Sequence, residues 1–140
     1  MTVPVGFSVG ECRQVVLVED LKRTQIVQYA GASGDFNPLH TDERYAVEVA
    51  KSPTVFAHGM LTAGMTGMAL ADLAGEGHVT QFGGRFLERV WPGDSLYASF
   101  TVTAIKTEND KALIDLDLVT RNQNDVPVFS GRATVTVASG

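Results

Sequence analysis

Ala57-His-Gly-Met-Leu-Thr-Ala-Gly-Met-Thr-Gly-Met-Ala-Leu-Ala-Asp-Leu73 is the stretch on which the fold turns. It reads as one long helix that is apolar nearly all round. A helix with no polar face has nothing to offer water, so it belongs at the centre of the molecule. Its glycines and threonines would let other backbone approach closely. Whatever surrounds it must supply apolar surface on several sides at once.

The flanking sequence supplies that surface as strands. His78 to Val90 is extended, with Gly83-Gly84 suggesting a bulge or bend midway, and it stops at Trp91-Pro-Gly-Asp94. Leu96–Ile105 alternates, Thr107–Lys111 is a hairpin loop, and Ala112–Thr120 alternates again. Asn122–Asp125 makes the next turn before Val126–Val137. Upstream, Arg13–Val18 is a β-branched strand. Lys22–Ala32 has Ile26, Val27 and Ala30 at helical spacing and Gly31 and Gly34 as a stop; Lys22 cannot cap it. Thr41 or Asp42 would cap another short helix running to about Ala50, ended by Ser52-Pro53. Strand, helices, central helix, then four antiparallel strands in a meander gives an α+β chain, with one domain over residues 1–140. An antiparallel sheet wrapped around an apolar central helix is the hot-dog architecture. One copy leaves a sheet edge and part of a face open, so a two-fold homodimer is expected.

With 140 residues, 44% of them apolar, the chain is long enough for one real core. A net charge of −5 without a Lys/Arg cluster argues against nucleic acid and anionic membrane as partners. It leaves room for a phosphate-bearing ligand, for which Arg85 and Arg89 are candidates, although a solvated strand face is the plainer reading of both. Cys12 is the only cysteine, so no intrachain disulfide can form and a reducing, cytoplasmic setting is expected. No basic segment followed by an apolar run opens the sequence, and Val55–Ala74 is too interrupted to read as a membrane span.

The chemistry concentrates in Tyr29-Ala-Gly-Ala-Ser-Gly-Asp-Phe-Asn-Pro-Leu-His40. Gly31, Ser33, Gly34, Asn37 and Pro38 are poor at extending a helix, so the backbone should turn near Ser33. Asp35 and His40 then lie on one bend, where a carboxylate and an imidazole can hold a single water and move protons. An Asx-turn aspartate beside a solvated histidine is the plainer alternative. Asn37 either hydrogen-bonds in the site or shapes the turn. Met60, Met65 and Met68 are most simply core, although methionine also suits the wall of a pliable pocket. Three scattered histidines and one cysteine, with neither a Cys-x-x-Cys nor a His-Glu-x-x-His pattern, give no metal framework, and no cofactor is implied.

Asp35-Phe-Asn-Pro-Leu-His40, with Tyr29-Ala30 and Ser33-Gly34 before it, resembles the hydratase motif of the MaoC-like family. Ala57-His-Gly-Met-Leu61 and Trp91-Pro-Gly-Asp94 resemble two further family segments, in the same order. The resemblance implies an (R)-specific enoyl-CoA hydratase or 3-hydroxyacyl-thioester dehydratase. In that reading Asp35 and His40 share the catalytic water, and the Gly59 N–H receives the thioester oxygen as negative charge develops; a glycine kept only for close packing is the plainer reading of Gly59. Asn37, His58 and Met60 would line the substrate site, His58 more as a structural neighbour than as a proton carrier. The substrate would be an acyl thioester of coenzyme A or of acyl carrier protein. The sequence departs from the family at Ala50-Lys-Ser-Pro53, where relatives often carry a glycine. A hot-dog thioesterase and a non-catalytic acyl-binding subunit are the competing readings.

Overall fold

The alternation in the C-terminal half becomes one face of a sheet. In the computed structural model, which describes residues 7–75 and 77–138, five strands form a single antiparallel sheet. They are β1 (Cys12–Val18), β2 (His78–Phe86), β3 (Leu96–Glu108), β4 (Lys111–Asn122) and β5 (Pro127–Ala138), and two α-helices accompany them, α1 (Arg23–Ser33) and α2 (Gly59–Ala74). Leu96, Ala98, Phe100 and Val102 of β3 point inward, as do Ala112, Ile114, Leu116 and Leu118 of β4 and Ala133 and Val135 of β5. They meet Ala63, Ala69 and Leu70 of α2, with Leu21 and Ile26 closing one end.

The strand order is β1-β3-β4-β5-β2, which corrects the expected four-strand meander. Only β3, β4 and β5 follow one another; β2 lies at the far edge, against β5. Residues 87–95 must therefore carry the chain from one end of the sheet to β3. On the way Leu87 N–H donates to Val128 O (2.9 Å) and Val90 O accepts from Ala57 N–H (2.8 Å), so the crossover runs past the start of α2. The turn that ends it is held by buried Asp94, which accepts from Trp91 N–H (2.9 Å) and from the Gln123 side chain (3.0 Å).

Two rings of β2 seat on two glycines of α2. A Cβ on Gly59 would stand 3.1 Å from the Phe86 ring, and one on Gly67 would stand 3.7 Å from Phe82. Eight helical residues span about 12 Å and four strand residues about 13 Å, so the two contacts repeat in step along antiparallel elements. The expected irregularity at Gly83-Gly84 is instead a register shift between Val79 and Gln81. The glycines serve close strand approach, since a Cβ on Gly84 would lie 2.4 Å from Ser130 O.

The helix α2 is not covered all round, contrary to the expectation from its composition. Thr62, Ala63, Thr66, Ala69, Leu70 and Ala74 are buried, while Met60 and Met68 are 59% and 64% exposed. The sheet of one chain wraps only one side of the helix, so these methionines are not core. Every residue of β2 is exposed in the single chain as well. The predicted helix after Thr41 is shorter and wider than expected, a π-helical segment Tyr45–Val49. Asp42 Oδ1 accepts from Tyr45 N–H at its start (3.1 Å). Among the described residues no helix is long and apolar enough to cross a membrane.

Candidate active site

The bend after α1 is built from side-chain acceptors. Gly34 ends the helix at φ 78°, its N–H donating to Ala30 O. Asp35 Oδ1 then accepts from Asn37 N–H (3.2 Å), and Asn37 Oδ1 from Leu39 N–H (3.0 Å). These two successive Asx turns reverse the chain within six residues. Asp35 does make the turn that the plainer reading expected, and Asn37 spends its oxygen on shaping the next one. His40, however, is no solvated histidine. It is half-buried, with Nδ1 2.6 Å from Phe56 O and its ring edge-on to Phe56 at 5.1 Å.

His58 arrives from the other side as the N-cap residue of α2. It is 2% exposed and stacks on His40 with ring centroids 3.8 Å apart and planes 27° from parallel. Its Nε2–H donates to Asp35 O (3.0 Å), and Tyr29 packs edge-on against it at 4.8 Å. One carboxylate oxygen of Asp35 and one ring nitrogen each of His40 and His58 lie within 4.8 Å of one another. The three sequence-predicted polar residues thus converge. Removal from water pushes the His40 pKa below the ordinary imidazole range; the Phe56 carbonyl opposes this, His58 adds to it and Asp35 opposes it. Two of the four ring nitrogens are occupied by carbonyls, and His58 Nδ1 is buried. That leaves His40 Nε2 and the Asp35 carboxylate as acceptors at this point.

Gly59 follows His58 directly and opens α2, so its N–H is free of a partner within the helix and lies at the positive end of the dipole. It lines a cavity of about 630 Å³ with Phe56, Ala57, Thr62, Phe86–Trp91 and Val128. Asp35 and His40 are not among the lining residues; they meet the cavity through segment 56–59. Met60 lies outside the lining as well. Arg89 has left the strand and places its guanidinium 4.6 Å from the Phe56 ring centre, on the cavity wall, rather than on a solvated strand face. Arg85 stays on β2, on a different groove.

Phe56 is the residue that sequence reasoning missed. Its carbonyl holds His40, and its ring touches His40, Trp91 and Arg89. A backbone carbonyl leaves no trace in residue type, and only its place just before Ala57-His-Gly could have drawn attention.

Comparison with known proteins shows what the chain is similar to. The family model described as MaoC like domain matches residues 8–122. An (R)-specific enoyl-CoA hydratase of Rhodospirillum rubrum is 33% identical over 132 residues, covering 92% of this chain and 88% of that one. A second, from Aeromonas caviae, is 33% identical and covers 79% of this chain and 82% of its own. A solved structure of the (R)-hydratase from A. caviae superposes with a TM-score of 0.81 at 27% identity, over 94% of this chain and 97% of the other. Other relatives are much longer. The chain spans 23% of the 3-hydroxyacyl-thioester dehydratase Y of Mycobacterium tuberculosis and 5% of the yeast fatty acid synthase subunit beta.

Proposed function

The chain belongs to the MaoC-like family, and from that premise we propose that it is a hydro-lyase acting on trans-2-enoyl and (R)-3-hydroxyacyl thioesters. The observation that carries the proposal is the meeting of Asp35, His40 and the start of α2 at one point beside a cavity.

Both His40 and Asp35 would act as acceptors toward the bound water. A carbonyl can only accept, so the proton of neutral His40 sits on Nδ1, facing Phe56 O, and Nε2 carries the lone pair. One water can donate one hydrogen to Asp35 and the other to His40 Nε2. With the thioester oxygen on the Gly59 N–H, the water oxygen bonds to C3 and the π electrons move onto the thioester as an enolate. The proton lost by the water goes to Asp35 or His40, and the same proton is then available to C2. Dehydration runs the sequence in reverse.

The acyl group would enter the cavity between α2 and segment 86–91, and its carrier is coenzyme A or acyl carrier protein. The assembly is read as a homodimer. β2 is an unpaired edge, and Phe82 and Phe86 join Met60 and Met68 in an apolar band that one copy leaves uncovered. The lone cysteine suits a cytoplasmic setting.

Loss of the enoyl absorbance of crotonyl-coenzyme A tests the assignment. Asp35→Asn and His40→Gln should each lower kcat/KM by at least about 10²-fold, the low end for one acid–base group. Full rates in both variants, or release of free thiol in place of hydration, would reject it.

A further inference from the structure

His58 takes part in every element of this site, yet the chemistry above gives it no step. Its Nε2–H reaches Asp35 O, its ring face covers His40, and its own peptide bond leads to the Gly59 amide. Its Nδ1 is buried with no hydrogen-bond partner among the described residues. A histidine kept only for packing would not be expected there, because a phenyl ring would fill the same space without burying an unsatisfied nitrogen. Contact with substrate is disfavoured by its burial, with 2% of its surface exposed.

We propose that His58 is a positioning residue. It holds the Asp35 backbone and the His40 ring at the spacing where the two share one water, and it fixes the Gly59 amide against the same point. The inference rests on the hydratase reading for its kinetic consequences, although not for its geometry. Two separate contacts do the holding. The hydrogen bond to Asp35 O ties down the bend between α1 and Pro38, and the stack stops the His40 ring turning about its Phe56 contact. The titratable residues packed on His58 are Tyr29, Asp35 and His40. A misplacement of about 1 Å at such a site is enough to cost orders of magnitude in rate.

The contacts can be removed one at a time. His58→Phe keeps a ring face and loses the N–H; His58→Gln keeps an N–H and loses the stack. Each should lower kcat for crotonyl-coenzyme A by about tenfold or more, with KM within about threefold of wild type. In a His40→Gln background, His58→Phe should cost less than it does in the wild-type chain, because one of the groups it positions has gone. In the wild-type protein the imidazole ¹⁵N spectrum should show His58 protonated at Nε2. Unchanged kcat, a loss wholly in KM or a bare His58 Nε2 would each overturn the proposal. If the variants do not fold, the wild-type spectrum still decides. Should the wild-type protein hydrate no enoyl thioester, the hydratase reading fails, while the NMR measurement still tests the brace.

Discussion

The Phe56 carbonyl lies 2.6 Å from His40 Nδ1, and this contact assigns the two sides of the imidazole different duties. The Nδ1 side is tied to backbone, which leaves the Nε2 side to serve as the base in the proposed reaction. Burial, the largest influence, lowers the His40 pKa. A group whose folded-state pKa is lowered takes its proton in the unfolded chain first, near about pH 6.5 for an imidazole. As pH falls below that value the unfolded state binds more protons than the folded one, so stability decreases. The working base is lost only at lower pH still. The prediction is an acid limb in log kcat/KM centred below about 6.5, with a fall in the denaturation midpoint over the same side. An acid limb centred above that value would mean that the wrong form of His40 has been assigned.

Gly59 should tolerate no side chain while Phe86 stays in place. A Cβ there would stand 3.1 Å from three ring carbons, tighter than ordinary contact. Phe86 is half exposed and can swing, so Gly59→Ala should cost only about 1 kcal/mol of stability. It should nevertheless lower kcat by about tenfold or more, because the displaced ring and the added methyl disturb the amide proposed to receive the thioester oxygen. Adding Phe86→Ala should restore part of the rate. No recovery in the double variant would show that the ring is not the obstacle.

Lys51 adopts a left-handed backbone at φ 59°, a conformation that favours glycine. A side chain in that region costs about 1 kcal/mol. Lys51→Gly should therefore raise Tm by a few degrees, while Lys51→Ala should not. Equal melting temperatures for all three proteins would remove the strain argument.

Asp94 holds the turn that sets the crossover wall of the cavity. Both carboxylate oxygens are in use, on Trp91 N–H and on the Gln123 side chain, and its carbonyl accepts from Leu21 N–H (2.8 Å). Asp94→Ala takes the acceptor from the half-buried Trp91 N–H and from the exposed Gln123 side chain, and should destabilise by about 1–2 kcal/mol in a denaturant titration. A change within about 0.5 kcal/mol would mean that water replaces the carboxylate without cost.

The apolar band of β2 and α2 should decide the size of the particle. Replacing both Phe82 and Met68 by glutamate puts charge into the face proposed to meet a second copy. Light scattering should report a dimer for the wild-type chain and a monomer for the double variant. A monomeric wild-type chain would dispose of the dimer.

The sequence by itself determined most of the elements and the bend that carries Asp35 and His40. Alternation in Leu96–Ile105 and Ala112–Thr120 marks a half-buried strand because side chains alternate faces every residue, and that signal survives in any environment. The breakers between Ser33 and Pro38 likewise compel a bend on which Asp35 and His40 must both lie. Only the tertiary structure decided that β2 pairs with β5 at the far edge, because strand order depends on long-range contacts that local pattern does not carry. The exposure of Met60 and Met68 has the same origin: composition says that a helix is apolar, but the extent of the surrounding sheet says how much of it is covered. The roles of Phe56 and His58 follow from backbone carbonyls and ring stacking between segments sixteen to twenty-three residues apart, which residue type alone does not encode.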